Sequence, residues 1–349
     1  MKKMLIIILM LFFVTRCGKN PHLDLTVFVD SIGIDYNKET KEYTLYYHIA
    51  TSDTLLTTEL GANSVDNKYS IASIKSNDLY DAIKVLTENS VRNVLLTHVQ
   101  SVIFTEDFIS KENLDYFDSI IKTYNNISPN FYIFVTDSKL DNVYSIKNPD
   151  NISSFFSIIT SNNYITTYNL TYYTEFVQAW YEETLLLKLI KISSTDKIWK
   201  DEKDKLTTLY ISGELYIRND GTYVKIDNDD YKALELLNHE YISTIIFEGI
   251  HFSLHEFAFK IIEKDNKFIF TLYGKIFSTN VNSNNSVEIV NLFKRNVNKE
   301  LEKLVDLSKE KNIDIFDFED KIYRKYNKKG QFDLQNVQVE YKSFFKLMN

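Results

Sequence analysis

Residues 209–226 read LYISGELYIRNDGTYVKI, and this stretch predicts a β-hairpin that organises the second half of the chain. Apolar residues stand at alternate positions around a single glycine: Leu209, Ile211, Leu215 and Ile217. A period of two places them on one face of a strand. Asn219-Asp220-Gly221 then supplies residues that tolerate positive φ, and an apolar alternation resumes at Val224 and Ile226.

A helix is predicted directly after the hairpin. Asp227 has a side chain suited to an N-cap, and Asp229 and Asp230 fall in the first turn, where the helix dipole favours negative charge. Leu234 and Leu237 would lie on its inner face. Helix capping therefore explains these three acids without a catalytic role.

The remaining sequence downstream also mixes strands and helices. Residues 251–277 predict two long strands joined at 264–267, and residues 337–341 predict a last strand. Between them, apolar residues recur at spacings of three and four and predict the longest helix in the chain: Val290, Phe293, Val297, Leu301 and Leu304.

Strands and helices alternate upstream of the hairpin as well. Residues 43–49, 99–105 and 131–135 predict strands. Helices are predicted after a cap at Ser76 or Asn77 and near the acidic pair Glu106-Asp107, with Leu79, Ile83 and Leu86 on the buried face of the first. We therefore predict an α+β fold with mixed sheets and helices in more than one domain.

Length and composition set the domain organisation. A chain of 349 residues exceeds one core at about 150 residues per domain, and the charged stretch 196–205 is the best boundary. We predict a signal peptide at 1–17, an N-terminal mixed α/β domain at 18–195, with two subdomains as an option, and a C-terminal mixed α/β domain at 206–349. The net charge of −8 argues against nucleic acid as a partner, and the 8 isolated glycines provide no phosphate-binding loop. No cofactor is predicted.

The N-terminus, MKKMLIIILMLFFVTRCG at 1–18, has the order of a bacterial lipoprotein signal. Two lysines precede an apolar run at 5–14 that is too short to span a bilayer of about 30 Å. Cys17, the only cysteine, follows directly and is predicted to carry lipid. Arg16 occupies a position where a small residue is usual, so two alternatives stay open: a secretory signal with an incidental cysteine, and a transmembrane anchor.

Candidate chemistry in the remaining chain is sparse. His251 and His255 have the spacing of a metal pair on a helix, but their surroundings predict a strand, so no metal site is predicted. The acidic cluster at 314–320 lacks the spacing and central glycine of a calcium loop and predicts a solvated turn that opens a helix. His98 has no nucleophile motif beside it and is interpreted as structural. No catalytic residue is predicted.

Several segments in order resemble the Ger(x)C family, the lipoprotein C subunits of spore germinant receptors. After the lipid signal, SIGID at 31–35 and the strand at 43–49 resemble the family's opening, and LLTHVQSVIFTE at 95–106 resembles its histidine-containing strand. The hairpin from 211 to Leu237 is similar to its glycine-containing strand and leucine-ended helix. NIDIFDFEDKIYRKY at 312–326 resembles its late aspartate-aromatic segment.

The resemblance implies a non-enzymatic, multi-domain α+β subunit. It would be anchored through Cys17 on the outer face of the spore inner membrane, beside two integral-membrane receptor subunits, and would act as a scaffold or coupling subunit in nutrient-triggered germination. Whether this subunit binds the nutrient stays open. Two alternatives are a solute-binding lipoprotein, which needs a ligand cleft, and a secreted hydrolase, which would depend on His98, His251 or His255.

Overall fold

The structure is a computed structural model that describes residues 26–51, 70–90, 93–124, 126–146, 152, 155, 170–182, 184–194, 207–228, 230–232, 245–264, 267–278, 285–326 and 332–348. Within these residues the chain forms two sheets, one of nine strands and one of four, with helices packed against both. The predicted α+β class is confirmed.

The first sheet contains the strands of the first two thirds of the chain: β1 (Thr26–Asn37), β2 (Glu42–Thr51), β3 (Ser70–Ser76), β4 (Asn93–Leu95), β5 (Ser101–Thr105), β6 (Tyr132–Thr136), β7 (Leu185–Ser194), β8 (Thr207–Ile217) and β9 (Tyr223–Asp227). Their order is β3-β2-β1-β5-β6-β7-β8-β9, and β4 pairs with the start of β1. Strands β1, β5, β6 and β7 are parallel neighbours, so their carboxyl ends meet at one edge.

Helices cover both faces of the first sheet. On one face, α1 (Leu79–Asn89) and α2 (Lys111–Thr123) pack into the same core as the apolar side chains of β1 and β2. On the other face, the short helix α3 (Leu140–Tyr144) packs over β5 and β6. The next helix, α4 (Tyr173–Glu182), joins the first core. Because both faces are covered, β5 is buried at every position, which is typical of parallel strands.

The start of α1 differs slightly from the prediction. The N-cap is Asp78, whose Oδ1 accepts a hydrogen bond from Asp81 N at 2.9 Å, rather than Ser76 or Asn77. Ser76 Oγ instead accepts from Asp78 N at 3.1 Å and so supports the capping residue. Each of these short polar residues can cap a helix, and the end of β3 at Ser76 decides among them.

The predicted helix at Glu106-Asp107 also begins later. Those two residues lie in a single 3₁₀ turn, Glu106–Phe108, closed by a hydrogen bond from Ile109 N to Glu106 O at 3.1 Å. Helix α2 starts after Ser110, whose Oγ accepts from Asn113 N. The buried Phe108 ends the turn because its ring packs into the first core.

The hairpin predicted at 209–226 is confirmed as β8 and β9, but its apolar residues do not share one face as predicted. Leu209 and Ile211 pack in the core beneath α3, whereas Leu215 and Ile217 lie in the first core, because the β7–β8 register shifts at Ser212 and reverses the alternation. Arg218 N donates to Thr222 O at 2.8 Å across the turn, and Gly221 has a φ of +84°, which a residue with a Cβ adopts only at a cost. Gly213 is needed for a different reason, the close approach of β9: a Cβ at this position would lie 2.1 Å from Ile226 O. Of the helix predicted after Asp227, the structure describes residues 228 and 230–232, where Tyr231 N donates to Asp227 O at 3.0 Å. Asp229, Leu234 and Leu237 lie outside the described ranges.

The predicted boundary at 196–205 also lies outside the described residues. The strands on its two sides are hydrogen-bonded neighbours, because β7 pairs antiparallel with β8. One face of β8 and β9 contributes Leu215 and Ile217 to the first core, and the opposite face contributes Tyr216, Val224 and Ile226 to a second core. The division into domains stays a prediction.

The second sheet holds β10 (Ile245–Phe247), β11 (Ile250–Lys264), β12 (Lys267–Ser278) and β13 (Val339–Leu347), in that order. The predicted pair of long strands is confirmed, and so is the long helix α5 (Ser286–Lys311), which buries the apolar stripe predicted for it except for the half-buried Val290. A shorter helix, α6 (Phe318–Tyr326), follows. The last strand begins two residues later than predicted, because Val337 ends the 3₁₀ turn Leu334–Asn336.

No helix among the described residues is both long and apolar enough to cross a bilayer. The 26 residues of α5 have sufficient length, but one side of the helix is strongly charged.

Candidate functional site

Charged side chains meet at the carboxyl edge of the first sheet. Glu106 and Asp137 each follow directly after a parallel strand, β5 and β6. Lys225 Nζ on β9 lies 2.6 Å from Glu106 Oε1 and 2.7 Å from Asp137 Oδ2. Lys191 Nζ on β7 lies 3.4 Å from Asp137 Oδ2 and 2.7 Å from Asp227 Oδ1. We call these five residues the carboxyl-edge network.

The pKa values within the network follow from partial burial and close opposite charge. Burial alone would raise the pKa of Asp137, but the ammonium groups of Lys225 and Lys191 outweigh it and hold that pKa below the ordinary value. Burial alone would lower the pKa of Lys225, and contacts with Asp137 and Glu106 raise it instead. Asp137, Lys191 and Lys225 are therefore charged at neutral pH. The ion pairs of the network link β5, β6, β7 and β9.

A second charged group is buried on the face of β7 and β8 that is opposite the first core. Lys188 on β7 and Glu214 on β8 form an ion pair in which each side chain is 1% exposed. Tyr216 Oη donates to Glu214 Oε2 at 2.6 Å, so both carboxylate oxygens have partners. We call these residues the Lys188 cluster. Lys188 and Glu214 are also register partners in the ladder between β7 and β8.

A serine, a histidine and an aspartate come together where the sequence predicted no site. His48 Nδ1 lies 2.7 Å from Asp30 Oδ1, and the neighbouring Ser31 Oγ lies 2.9 Å from both Tyr144 Oη and Ser101 Oγ. Ser31 is 1% exposed beneath α3, so a substrate carbonyl has no access to its oxygen. The residue types resemble a hydrolase site, but their burial makes them part of the core.

The three histidines considered from the sequence lie apart from that cluster. His98 is exposed in the turn between β4 and β5, where its ring packs edge-on against Phe28 at 4.8 Å. His251 and His255 are exposed on β11, in the predicted strand rather than a helix. Four residues of strand separate their backbones by about 13 Å, which is too far for one metal ion.

The acidic cluster at 314–320 opens helix α6, as predicted. Asp314 Oδ2 accepts a hydrogen bond from Glu319 N at 2.9 Å, and Asp320 pairs with Arg324 one turn later at 2.6 Å. Burial raises the pKa of Asp314 above its ordinary value even though backbone N–H groups donate to it. Within the described ranges no three His, Cys, Asp or Glu side chains gather as a metal site would require.

A hollow of about 290 Å³ lies between α1 and α2, lined by Asp78, Tyr80, Asp81, Tyr116, Ser119, Ile120 and Thr123. Tyr116 Oη donates to Asp78 Oδ2 at 2.8 Å, and burial together with that carboxylate raises the pKa of Tyr116 to about 12. Two of the seven lining residues, Asp78 and Asp81, are acidic, whereas small-molecule sites are mostly apolar with a few polar groups. Cys17, the predicted lipidation site, lies outside the described residues.

Comparison with known proteins gives two matches. Residues 21–192, which end within β7, match the sequence family described as the spore germination protein N-terminal domain. The fold is similar to that in the crystal structure of the GerBC protein, with a TM-score of 0.51 and 14% sequence identity over 91% of this chain and 97% of that chain. At this identity the structural likeness concerns the fold alone. No curated protein sequence matches the chain.

Proposed function

We propose, from the premise that this chain belongs to the Ger(x)C family of spore germination proteins, that it is the lipid-anchored C subunit of a nutrient germinant receptor. The observation that carries the proposal is the match of 21–192 to a germination domain directly behind a lipoprotein-like signal. The likeness to GerBC along 91% of the chain supports it.

The proposed anchor lies close to the folded body. Eight residues separate Cys17 from Thr26, the first residue of β1, and the nine Cα–Cα steps of an extended chain reach about 30 Å. An acyl chain on Cys17 would therefore keep the amino end of β1 near the bilayer. In the proposed location this bilayer is the spore inner membrane, with the protein on its outer face.

The proposed role is that of a scaffold or coupling subunit beside two integral-membrane subunits. Confinement to the membrane raises the effective concentration of one subunit near the others, so modest contacts would suffice for assembly. The carboxyl-edge network and the Lys188 cluster fit this role, because their charged side chains pair with one another across strands and so stabilise the sheet. The family is not a known enzyme family, and we propose no reaction for the chain.

Metabolic labelling with a radioactive fatty acid tests the anchor in the sporulating cell. The wild-type chain should be labelled and recovered with membranes, whereas Cys17→Ala should lose the label and most of the membrane recovery. Arg16→Gly, which supplies the usual small residue, is the matched control and should be labelled at least as strongly. A wild-type chain that is soluble and unlabelled would overturn the anchor.

Co-purification with the two membrane subunits tests the assembly role separately. The wild-type chain should be recovered in one detergent-stable complex with both subunits. Deletion of its gene should reduce the germination response to nutrients. Recovery as a free monomer from detergent extracts of wild-type spores would contradict the scaffold role.

The alternative of a solute-binding lipoprotein has one observation in its favour, the acidic hollow between α1 and α2. Asp78 and Asp81 would attract the ammonium group of an amino acid. Thermal-shift screening with amino acids, sugars and nucleosides tests it, since a ligand bound at 100 times its Kd stabilises by about 2.7 kcal/mol. Stabilisation of the wild type that Asp81→Asn abolishes would favour delivery of a solute over scaffolding.

A further inference from the structure

We propose that the outer face of the second sheet binds the surface of an anionic lipid bilayer. We define this face by two aromatic residues, Tyr273 and Phe344, and by the lysines on either side of them, Lys260, Lys342, Lys275 and Lys346. It is opposite the face that packs against α5.

The orientation of β13 follows from its contacts. Ser343 Oγ donates to Asn298 Oδ1 on α5 at 2.8 Å, and Phe345 packs edge-on against Phe293 of the same helix at 4.8 Å. Because side chains alternate along a strand, Phe344 and its even-numbered neighbours point away from α5. The same alternation along β12, where Leu272 is buried, places Tyr273 on the outer face.

The two aromatic side chains are exposed although their rings are apolar. Tyr273 and Phe344 are register partners whose rings stack at 5.2 Å, and they are 44% and 54% exposed. Ile262 on β11 adds a third large apolar side chain that is 52% exposed. Exposed aromatic rings beside lysines are typical of protein surfaces that enter the headgroup region of a bilayer.

Lysines border the aromatic pair on both sides. In register, Lys260 and Lys342 flank Thr271 on one side, and Lys275 is opposite Lys346 on the other. Two further exposed lysines, Lys264 and Lys267, lie on the same face at the end of the β11–β12 hairpin, whose turn residues 265 and 266 are outside the described ranges. These are six lysines in a chain of net charge −8.

Few acids offset these lysines among the described residues of the face. Glu340 lies 3.2 Å from Lys342 Nζ, and Glu256 pairs with Lys275. The face is therefore positive in an otherwise acidic protein, which is complementary to anionic headgroups.

This inference rests on the proposed function only for the presence of a membrane beside the protein, and its test does not involve acylation. The test uses the full chain with Cys17→Ala in every arm, so that all proteins share the same first residues. Partition is measured by vesicle co-sedimentation on phosphatidylcholine alone and on phosphatidylcholine with about 30% phosphatidylglycerol.

The parent chain should bind the anionic vesicles more tightly than the neutral ones, and added salt should weaken the difference. Lys260→Gln with Lys342→Gln should weaken anionic partition by about 25-fold, because each basic residue near such a surface contributes about fivefold. Lys299→Gln with Lys303→Gln, on the exposed side of α5, removes the same charge and should change little.

Phe344→Ser gives a second variant at an exposed position, and it should reduce partition while circular dichroism stays unchanged. If the Lys260→Gln/Lys342→Gln protein and the Lys299→Gln/Lys303→Gln protein partition equally onto anionic vesicles, the proposal is overturned. Binding that requires vesicles containing the other receptor subunits, with none to lipid alone, would overturn it as well and assign the face to a protein partner. Loss of fatty-acid labelling at Cys17 would leave these outcomes unaffected.

Discussion

Replacing Glu214 by Gln should destabilise the protein by about 3–5 kcal/mol, because it leaves the Lys188 ammonium buried without its carboxylate. Both side chains are 1% exposed, so water cannot replace the lost partner unless the sheet opens. The Tyr216 hydroxyl keeps an acceptor in this variant, since the Gln side chain retains a carbonyl oxygen. The loss therefore reports the charge pair rather than the tyrosine hydrogen bond.

The double variant, Lys188→Met with Glu214→Gln, removes the stranded charge as well. Its cost should be below about 2 kcal/mol, because replacing a buried ion pair with uncharged groups of similar volume is often nearly neutral. The two substitutions should thus be strongly non-additive, because each single variant leaves a buried charge without its partner, and the double variant should cost at least about 1 kcal/mol less than Glu214→Gln alone.

Urea unfolding followed by circular dichroism measures both quantities on the chain and its variants at pH 7. The control pair is Lys84→Met and Glu88→Gln, an exposed i,i+4 ion pair on α1 that should contribute less than about 1 kcal/mol. A Glu214→Gln variant within 1 kcal/mol of the wild type, or a double variant that costs the sum of the singles, would refute a stabilising buried pair.

Two further predictions concern the first sheet. Asp137→Asn should lower the free energy of unfolding by about 1–2 kcal/mol at pH 7. Because the pKa of Asp137 in the folded protein lies below the ordinary value of about 3.9, the difference between wild type and variant should vanish as the pH falls through that pKa. Urea unfolding from pH 7 to pH 2.5 measures this difference. A difference independent of pH would contradict the pairing with Lys225. Gly213→Ala should cost at least about 1–3 kcal/mol by thermal denaturation, because its Cβ would meet Ile226 O at 2.1 Å, whereas Gly274→Ala meets only the Phe345 ring at 3.3 Å and should cost less.

Local patterns in the sequence predicted those elements whose cause is local. The alternation in 209–226 and its Asn-Asp-Gly turn predicted the β8–β9 hairpin, and the apolar spacing along α5 predicted its buried stripe. Helix starts were less certain because several short polar residues in a row can each act as a cap. The actual cap, Asp78, is selected by where the preceding strand ends.

Faces were harder to predict than elements. Regular strand alternation would put His255 and Phe257 on the same side of β11, but Phe257 is buried and His255 is exposed. The register shifts between His255 and Ala258, and Glu256 has a φ of +50°. This bulge inserts one residue and reverses the alternation of buried and exposed side chains. No residue type in the segment predicts its position.

The polar clusters could not be predicted, because their members come from distant parts of the chain. In the alternating strand β2, His48 falls at a polar position, which predicts a side chain exposed to solvent. Helix α3 covers that face of the sheet, and His48 is only 2% exposed. Lys188 and Glu214 likewise lie on strands separated by a long charged stretch. The lipidation of Cys17 stays a prediction.

The position of β1 determines how the protein would respond to mechanical load. It lies in the interior of the nine-stranded sheet, hydrogen-bonded to β2 along one side and to β4 and β5 along the other. A pull on the amino end of this strand acts along its axis, so both ladders would resist in shear together rather than open one bond at a time. A tether attached at that end would transmit force into the folded body without unravelling it.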